Sequence, residues 1–378
     1  MRERFSRLLL NVFAAVIAAA FAAGITSIIL AVRGDSPTFV ISQMWTYGTQ
    51  ASSELTILNS ATVYYLSAIA VAIGFRMNLF NIGVDGQYRL AAMLAAAFGG
   101  AVSLPNGVRQ VAIILVAMLV GATWAGLVAL LKVTRGVSEV ISTIMLNFIA
   151  TGLIAYLMRP SNLGRRSKVA NDVTTTPIPK SGQVGGLDLI PNSGGKVYGL
   201  IVLAIAVGVV FHVVVNRTRF GFDLRATGQS ASAAQASGVN VKKMVAATLL
   251  LSGATAGLVG MPALLGDSHS YSSITFQTGL GFTGIAIALL GRNNPVGIAF
   301  AAILWAFLDQ SAQILDLNGI PKEIVQITQG VVVLSVVIAY ELVRRWALAH
   351  QQRVVGSALA PPSGPAEPTE LSRQKVPT

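Results

Sequence analysis

Cysteine is absent from this chain of 378 residues, and histidine occurs only three times, at His212, His269 and His350. Without cysteine there is no disulfide framework and no thiolate metal site. Because the histidines are scattered along the sequence, we expect no metal centre. Charge is also scarce, since 11% of the residues are charged, compared with about 25% in a typical soluble domain. This supply is too small to cover the surface of a soluble protein.

Catalytic motifs are missing as well, since neither H-E-x-x-H nor G-x-S-x-G occurs. The string GGKVYG at 194–199 is not a P-loop, because Ile190 stands at the first glycine position and Val197 follows the lysine. We therefore expect no catalytic residues, no bound cofactor and no ATP hydrolysis by this chain.

Hydrophobic residues make up 53% of the chain and occur in long blocks. Blocks of about 20 residues can cross the hydrocarbon layer as helices. The sequence thus predicts an all-α polytopic membrane protein with about ten transmembrane helices. We place the spans near residues 8–32, 57–75, 86–104, 110–131, 137–158, 197–215, 244–266, 279–291, 295–314 and 324–343.

The formal net charge is +12, but the basic residues lie in short clusters between apolar blocks, so we expect no nucleic-acid partner. With the N-terminus inside, eighteen of the 27 Lys and Arg residues fall on the cytoplasmic side. Six of the others belong to one loop, 159–196. This bias predicts that both termini are cytoplasmic. We divide the chain into a membrane domain, 1–345, and a disordered cytoplasmic tail, 346–378.

The predicted spans repeat along the chain. Spans two to five and spans seven to ten are separated by offsets between 185 and 193 residues. The second span starts outside and the seventh starts inside, so the two sets have opposite orientations. Such spacing is typical of an inverted repeat, in which the solute path lies at the interface of the two sets.

The segment Gly74–Leu90 is polar although it lies between two apolar blocks. Polar side chains and glycine-broken backbone at membrane depth usually face a cavity or the protein interior. Asparagine and glutamine both donate and accept hydrogen bonds, which suits a neutral polar solute. The alternative is an ordinary cytoplasmic turn with Arg76 and Arg89 as interfacial anchors.

A second segment, 278–297, is rich in glycine, which permits close helix approach or an unwound backbone. The span it contains, 279–291, is too short to cross unaided. Phe276 and Phe282 provide aromatic faces that can stack on a ring-shaped solute, although either can equally be a packing residue. Asp309 is the deepest acidic residue by these boundaries.

The loop 216–244 contains an Ala- and Ser-rich centre, 229–236, which predicts a short helix ended by Gly238. Small side chains flanked by Arg225 and Lys242 form a compact knob that fits a groove on another protein. The alternative is a simple amphipathic connector.

Three blocks of this sequence, GFRMNLFNIGVDGQ, RATGQSASAAQASGVNVKK with the following LSGATAGLVG, and GFTGIAIALLGRNNPVG, resemble those of one family. These are the permease subunits of bacterial ABC importers for nucleosides, ribose-type sugars and branched-chain amino acids. The resemblance extends over roughly residues 55–345 and is closest to the nucleoside branch. It implies a location in the bacterial inner membrane and three partners. These are a second permease subunit that is usually a paralogue, an ATPase subunit that binds ATP and Mg, and an extracytoplasmic solute-binding protein or lipoprotein.

The resemblance also implies residue roles. Residues that line or support the path of a nucleoside or related simple sugar are Asn78, Asn81, Gly83, Asp85, Gln87 and Phe282. Residues that contact the ATPase through a coupling helix, and so drive alternating access, are Arg225, Gly228, Gln229, Ala233, Ala234, Gly238 and Asn240. Relatives commonly have Glu where this chain has Asp85. We add the hypothesis that Arg165, Arg166 and Lys168 meet an acidic rim on the binding protein.

An ion-coupled secondary transporter of a small polar solute is the alternative function. It would share the ten spans and the inverted repeat. Such transporters usually need ionisable groups within the membrane, and this sequence offers few at depth.

Overall fold

The computed structural model describes residues 20–166, 172–276, 278–321 and 323–359, and these are almost entirely helical. A two-stranded hairpin, β1 and β2, interrupts the helices between α6 and α7. The strands are Arg165–Arg166 and Val173–Thr174. The helices are α1 Ala20–Arg33, α2 Pro37–Gly48, α3 Ala51–Phe75, α4 Val84–Ala101, α5 Val108–Arg135, α6 Glu139–Leu157, α7 Ile201–Arg217, α8 Arg219–Gln229, α9 Ala231–Ala236, α10 Val241–Gly257, α11 Met261–Ala263, α12 Leu280–Leu290, α13 Pro295–Leu317 and α14 Glu323–Leu359.

The all-α polytopic fold is confirmed. Within the described residues, six helical segments are long and apolar enough to cross a membrane, or seven if the bent pair α7–α8 is one span. Helices α1 and α12 are apolar but shorter. Each of the ten predicted spans overlaps a helix, although residues 8–19 of the first lie outside the described part. Helix α2 was not predicted, because it lies between the first two predicted spans.

Helices α3 and α10 form the centre of the bundle. In the most apolar stretch of α3, and of the segment Val241–Ser268 that begins with α10, 67% of the residues are buried. The corresponding share in α6 is 22%. Helix α10 packs closely on α5 because both present small residues. A Cβ atom on Gly253 would meet Ala125 and the Gly121 carbonyl, and one on Gly257 would meet the Ala117 carbonyl. Small residues spaced four apart allow such close backbone approach in membranes.

Helix contacts follow the repeat expected from the span offsets. Helix α10 packs on α5 and α4, while α3 packs on the equivalent helices α13 and α12. The pairs α4 with α6 and α12 with α14 are equivalent in the same way. Two related halves therefore exchange their first helices across the centre of the protein.

Helices α4 and α12 each follow a break in the chain. Residues 76–83 separate α3 from α4. Between α10 and α12, the described residues 258–276 and 278–279 are irregular apart from the short α11 and one π-helical turn. Helix α12 has 11 residues, so it is about 16 Å long and spans half of the hydrocarbon layer. The break before α12 lies inside the bundle, since Tyr271 and Phe276 are buried.

The 159–196 loop packs against that second break. Backbone amides of Thr175, Ile178 and Val184 donate to the carbonyls of Tyr271, His269 and Leu265. The loop thus supplies backbone partners to a segment that has left the helical pattern, as a buried irregular chain requires.

Two boundaries differ from the sequence prediction. The short helix α9 begins at Ala231 rather than 229, and a separate helix, α8, precedes it at 72° to α7. Helix α14 continues to Leu359, so the predicted tail is helical over 346–359. The helix-forming run after residue 340 extends the span without a proline or glycine until Gly356. Residues 360–378 lie outside the described part.

Candidate functional site

Asn81 is the centre of a buried polar cluster in the break before α4. Its Nδ2 donates to Ser252 Oγ of α10 (2.8 Å) and to Gln87 Oε1 of α4 (2.9 Å). Its Oδ1 accepts from the Gly83 amide (3.1 Å) and from Gln87 Nε2 (3.0 Å). Asn81 and Gln87 are each 1% exposed. Both side chains are satisfied by the protein itself, as polar groups at membrane depth must be.

Helix α6 holds the same break from the other side through Asn147. The Gly86 amide donates to Asn147 Oδ1 (2.9 Å), and Asn147 Nδ2 donates to the Ile82 carbonyl (3.0 Å). The close approach depends on glycine, because a Cβ on Gly86 would lie 2.9 Å from Asn147 Oδ1 and 3.0 Å from the Ala150 Cβ. A Cβ on Gly83 would lie 3.1 Å from that of Thr143. The two glycines therefore let α6 contact the start of α4.

Asp85 links the starts of α4 and α12. Its Oδ1 accepts from the amides of Gly279 (3.0 Å) and Gly281 (3.2 Å). The N-cap residue of α12 is Gly279, which has no side chain for the task and has a φ of 106°. A carboxylate that accepts amide N–H groups at a helix N-terminus also interacts favourably with the helix dipole. Asp85 therefore caps α12 from another helix.

Arg89 lies in the second turn of α4 and is 7% exposed. This burial among helices disfavours the alternative interpretation, in which Arg89 is an interfacial anchor of an ordinary turn. Arg89 Nη1 donates to Thr151 Oγ1 of α6 (3.1 Å).

The break before α12 contains a stacked aromatic pair. The rings of Tyr271 and Phe276 lie with their centroids 5.0 Å apart. Phe276 is thus a packing aromatic, as the alternative interpretation proposed.

The remaining two predicted path residues are exposed and lie apart from the cluster. Phe282 of α12 is 59% exposed. The residue before it, Gly281, faces Asp85, since a Cβ there would lie 3.4 Å from Asp85 Oδ2. Asn78 is exposed in the break and has a φ of 54°. None of the predicted path residues lines the cavity of about 630 Å³ between α3, α7 and α13, which is bordered by apolar side chains such as Tyr65, Val209 and Phe300.

The predicted coupling residues lie together on α8, α9 and the start of α10. Ser230 caps α9, its Oγ accepting from the Ala233 amide (3.3 Å), and Asn240 caps α10, its Oδ1 accepting from the Lys243 amide (3.0 Å). Gly238 ends α9 with a φ of 85°. The amides of Gly238 and Val239 donate to the carbonyls of Gln235 and Ala234, which is the pattern of a Schellman motif.

Only part of this set faces outward. Gln229, Ala233 and Asn240 are exposed, whereas Ala234 is buried. Gly228 is half-buried against the break before α4, where a Cβ would lie 2.8 Å from the Arg76 carbonyl oxygen and 2.9 Å from the Met77 Cα. Helix α9 therefore presents one face to solvent and is seated on the bundle by the other.

Arg225 of α8 lies near Arg76, the residue that ends α3. Burial, and secondly the Arg225 guanidinium, lower the pKa of Arg76. Within the described part of the chain, Arg76 Nε and Arg225 Nη1 are buried and have no hydrogen-bond partner. Arg76 Nη2 donates to the Asn293 carbonyl (2.5 Å), in the turn between α12 and α13. Two cations are thus held close together beside the break.

Asp309, the deepest acidic residue in the sequence analysis, connects three helices. Its Oδ2 accepts from the Tyr64 hydroxyl of α3 (2.6 Å), and its Oδ1 accepts from Gln329 Nε2 of α14 (2.6 Å). Both oxygens have donors, so the residue ties the bundle together. Among the described residues no group of three or more His, Asp or Glu side chains could hold a metal ion.

The sequence was also compared with known proteins. The family described as the permease component of the branched-chain amino acid transport system matches residues 53–337, most of the chain. The chain belongs to this permease family. The membership agrees with the three blocks identified above and makes the protein a multi-pass transport subunit rather than an enzyme.

Relatives of this permease are named for different solutes. It is 33% identical to the guanosine ABC transporter permease protein NupP of Bacillus subtilis over 348 residues, which cover 90% of this chain and 96% of the relative. It is 32% identical to the glucose ABC transporter permease protein TsgB13 of Haloferax volcanii, covering 74% and 75%. It is 27% identical to the nucleoside ABC transporter permease protein NupB of Lactococcus lactis, covering 73% and 76%. No solved structure shows a significant match.

Sequence reasoning missed the partners of the polar cluster. Asn147, Thr151 and Ser252 lie in spans that were interpreted as uniform apolar helices. A polar side chain within an apolar span is a signal of an interhelical contact. That signal identifies Asn147 in the permease, but it does not say which helix the side chain meets.

Proposed function

We propose that this permease is the membrane-spanning subunit of an ATP-driven importer that carries a nucleoside or a related simple sugar. The observation that carries the proposal is the similarity over 90% of the chain to a relative named as a guanosine ABC transporter permease. A second relative is named for glucose. Nucleosides and simple sugars both carry a hydroxylated sugar ring, so related permeases can serve both classes of solute.

The charge bias of the loops favours a plasma-membrane protein with both termini cytoplasmic. In this orientation α8 and α9 lie inside the cell and the 159–196 loop lies outside. The membrane domain includes residues 1–345, and the rest of the chain forms a cytoplasmic tail.

The solute path follows the exposed face of α12, where Phe282 offers an aromatic ring to the solute. Behind this face, Asn81, Gly83, Asp85 and Gln87 support the path. Their hydrogen bonds hold the N-terminal ends of α4 and α12 at membrane depth. Transporters commonly use such discontinuous helices beside the route of the solute.

The surface that contacts the ATPase consists of the outward face of α9, the end of α8 and the start of α10. Gln229, Ala233 and Asn240 are exposed there, and they meet a groove on the ATPase. Ala234 and Gly238 shape the helix, while Arg225 and Gly228 seat α8 on the bundle. ATP and Mg are bound by the ATPase, and its movement drives alternating access.

Two further partners complete the importer. A second permease subunit related to this one covers part of the exposed apolar surface away from the path, including Phe148, which is 72% exposed in the isolated chain. An extracytoplasmic solute-binding protein docks on the outer loop. Arg165 and Arg166 are exposed on strand β1 and meet acidic side chains of that protein. Lys168 lies outside the described residues.

Reconstitution of the permease with its co-purifying subunits in liposomes tests this function. We expect uptake of labelled nucleosides or sugars to require ATP and to stop when the P-loop lysine of the ATPase is replaced. The matched control is an uncoupler of ion gradients, which should leave uptake unchanged. Uptake that survives the lysine substitution but not the uncoupler would support an ion-coupled transporter instead.

The solute is identified by binding measurements on the extracytoplasmic protein with a panel of nucleosides and sugars. Preferential binding of a nucleoside, followed by its uptake in liposomes, is the expected result. Preferential binding of an amino acid would contradict the proposed solute class while leaving the transport mechanism intact.

A further inference from the structure

The turn formed by residues 76–79, between α3 and the break before α4, contacts α8. Asn78 Nδ2 donates to the Gly228 carbonyl at the end of α8 (2.6 Å). The backbone of this turn also lies against Gly228, where even a Cβ would be 2.8 Å from the Arg76 carbonyl oxygen. A side chain at 228 would separate the two segments, so the contact depends on glycine.

The same turn contacts the end of α12. Arg76 Nη2 donates to the Asn293 carbonyl (2.5 Å). Arg292 and Asn293 have φ values of 55° and 53°. This left-handed conformation forms the turn between α12 and α13. Residues 76–79 therefore lie between α8 on one side and the α12–α13 turn on the other.

Apolar packing fixes the turn to its neighbours. Met77 and Leu79 are 5% exposed and pack in one cluster with Leu224 of α8 and with Val245 and Leu249 of α10. Two residues later, Asn81 begins the hydrogen-bonded cluster at the start of α4. A displacement of α8 thus has a continuous path of contacts to α4 and, through Arg76 and Asp85, to both ends of α12.

The contacts at the surface differ in kind from the buried ones. The hydrogen bond of Asn78 is exposed, so water competes for it and it can break and re-form. The cations Arg76 and Arg225 repel one another, which opposes closer approach of α8. Buried packing below this layer keeps the helices together when the surface contacts change.

We propose that residues 76–79 transmit the movement of α8 and α9 to α4 and α12, with Asn78 as the positioning residue that ties the turn to Gly228. This inference rests on the proposed ATPase partner. It assigns Asn78 to coupling rather than to contact with the solute, and it connects the two sets of residues that the sequence analysis treated as separate.

The test uses the complete reconstituted complex and three measurements: co-purification of the ATPase, the rate of ATP hydrolysis, and solute imported per ATP hydrolysed. We expect Asn78→Ala to retain the ATPase and to continue hydrolysing ATP, while solute per ATP falls about fivefold from loss of one hydrogen bond. The matched control is Asn318→Ala, which removes a similar exposed side-chain donor to a local carbonyl, that of Ile314. This control should import like the wild type.

A cross-link provides the second measurement. Because the chain has no cysteine, the double variant Asn78→Cys, Gln229→Cys can be joined by a short bifunctional maleimide. Because Gln229 belongs to the proposed ATPase contact, the single variant Gln229→Cys is the reference. We expect the unlinked double variant to import less solute per ATP than this single variant, and the linked form to recover to its level. A purely structural role for Asn78 would not be rescued by a tether.

Unchanged solute per ATP in Asn78→Ala would overturn the inference, as would failure of the cross-link to restore import. If Asn78→Ala fails to assemble, the linked double variant decides, since recovery supports the tether and continued loss overturns it. Failure of the wild-type permease to bind any ATPase would instead remove the proposed function, so the two failures are distinguishable.

Discussion

The Asp85 carboxylate caps helix α12 although 194 residues separate it from Gly279. The hydrogen bond joins the two helices that begin inside the bundle, one from each half of the repeat. Helix α12 has no N-cap side chain of its own, so the capping group comes from the equivalent helix. A shorter acidic side chain is sufficient, since Asp85 Oδ1 lies 3.0 Å from the Gly279 nitrogen.

Asp85→Ala removes the acceptor of two amide groups at the start of α12. We expect the free energy of unfolding to fall by about 2 kcal/mol, because the cap is lost and buried N–H groups are left unpaired. The melting temperature of the purified protein in detergent measures this. Asp85→Asn keeps an oxygen acceptor and should lose less. The control is Asp316→Ala, an exposed carboxylate near the end of α13. An unchanged melting temperature in Asp85→Ala would contradict the capping role.

Gly257→Leu places a side chain between α10 and α5, where a Cβ meets the Ala117 carbonyl. Overpacking should lower the free energy of unfolding by about 3 kcal/mol or prevent folding. Gly152→Leu is the matched control, since no atom lies within 4 Å of a Cβ at that helical glycine. Thermal melts and the yield of monodisperse protein report the difference. Equal behaviour of the two variants would argue against close packing of α5 and α10.

Gly238→Ala puts a side chain on a residue with a φ of 85°. Left-handed backbone costs about 1 kcal/mol more with alanine than with glycine, so the end of α9 should loosen. We expect faster amide hydrogen exchange in residues 231–236 and weaker association with the ATPase. Gly185→Ala serves as the control, because that glycine is exposed and a Cβ there meets no atom within 4 Å. Exchange rates that match the wild type would rule out a capping role for Gly238.

Single cysteines test the proposed path and the orientation. In the cysteine-free chain we expect Phe282→Cys to react with a water-soluble maleimide when the path is open, because the side chain is exposed. Gln87→Cys should remain protected in the resting state, since Gln87 is 1% exposed. Ser232→Cys on α9 should react only from the cytoplasmic side. Failure of Phe282→Cys to react in every nucleotide state would exclude it from the path.

Reversing the charge of strand β1 tests docking of the binding protein. The double variant Arg165→Glu, Arg166→Glu should need about tenfold more binding protein for half-maximal import, since like charges oppose association. The variant with lysine at both positions keeps the charge and should behave like the wild type. Import is measured against binding-protein concentration at two salt concentrations. Equal curves for both variants would dispose of the acidic-rim hypothesis.

Local features of the coupling segment were predictable from sequence because they depend on neighbouring residues. Gly238 was expected to end a short helix, and it does so with the hydrogen bonds of a Schellman motif. Helix α8 was not expected, because its amphipathic pattern is short and lies among charged residues. Its position depends on Leu224, which is buried in a cluster with residues from the turn 76–79, α5 and α10.

The polar residues of the first break show where sequence reasoning ends. Asn78, Asn81 and Asp85 were grouped as one solute path because they share a polar segment that resembles a block of the permease family. The structure separates them: Asn78 contacts α8, Asn81 contacts α10 and Asp85 contacts α12. Neighbours in sequence around a turn point in different directions, and their partners come from distant helices.

The sequence by itself determined that this chain is a membrane protein of the permease family with helices at the predicted spans, because length and hydrophobicity decide whether a segment can cross a bilayer. The tertiary structure decided what the polar residues do. A polar group within the membrane needs a hydrogen-bond partner, and the fold determines which distant residue supplies it. Asp85 is therefore a cap for α12 only because the two halves of the bundle bring Gly279 to it.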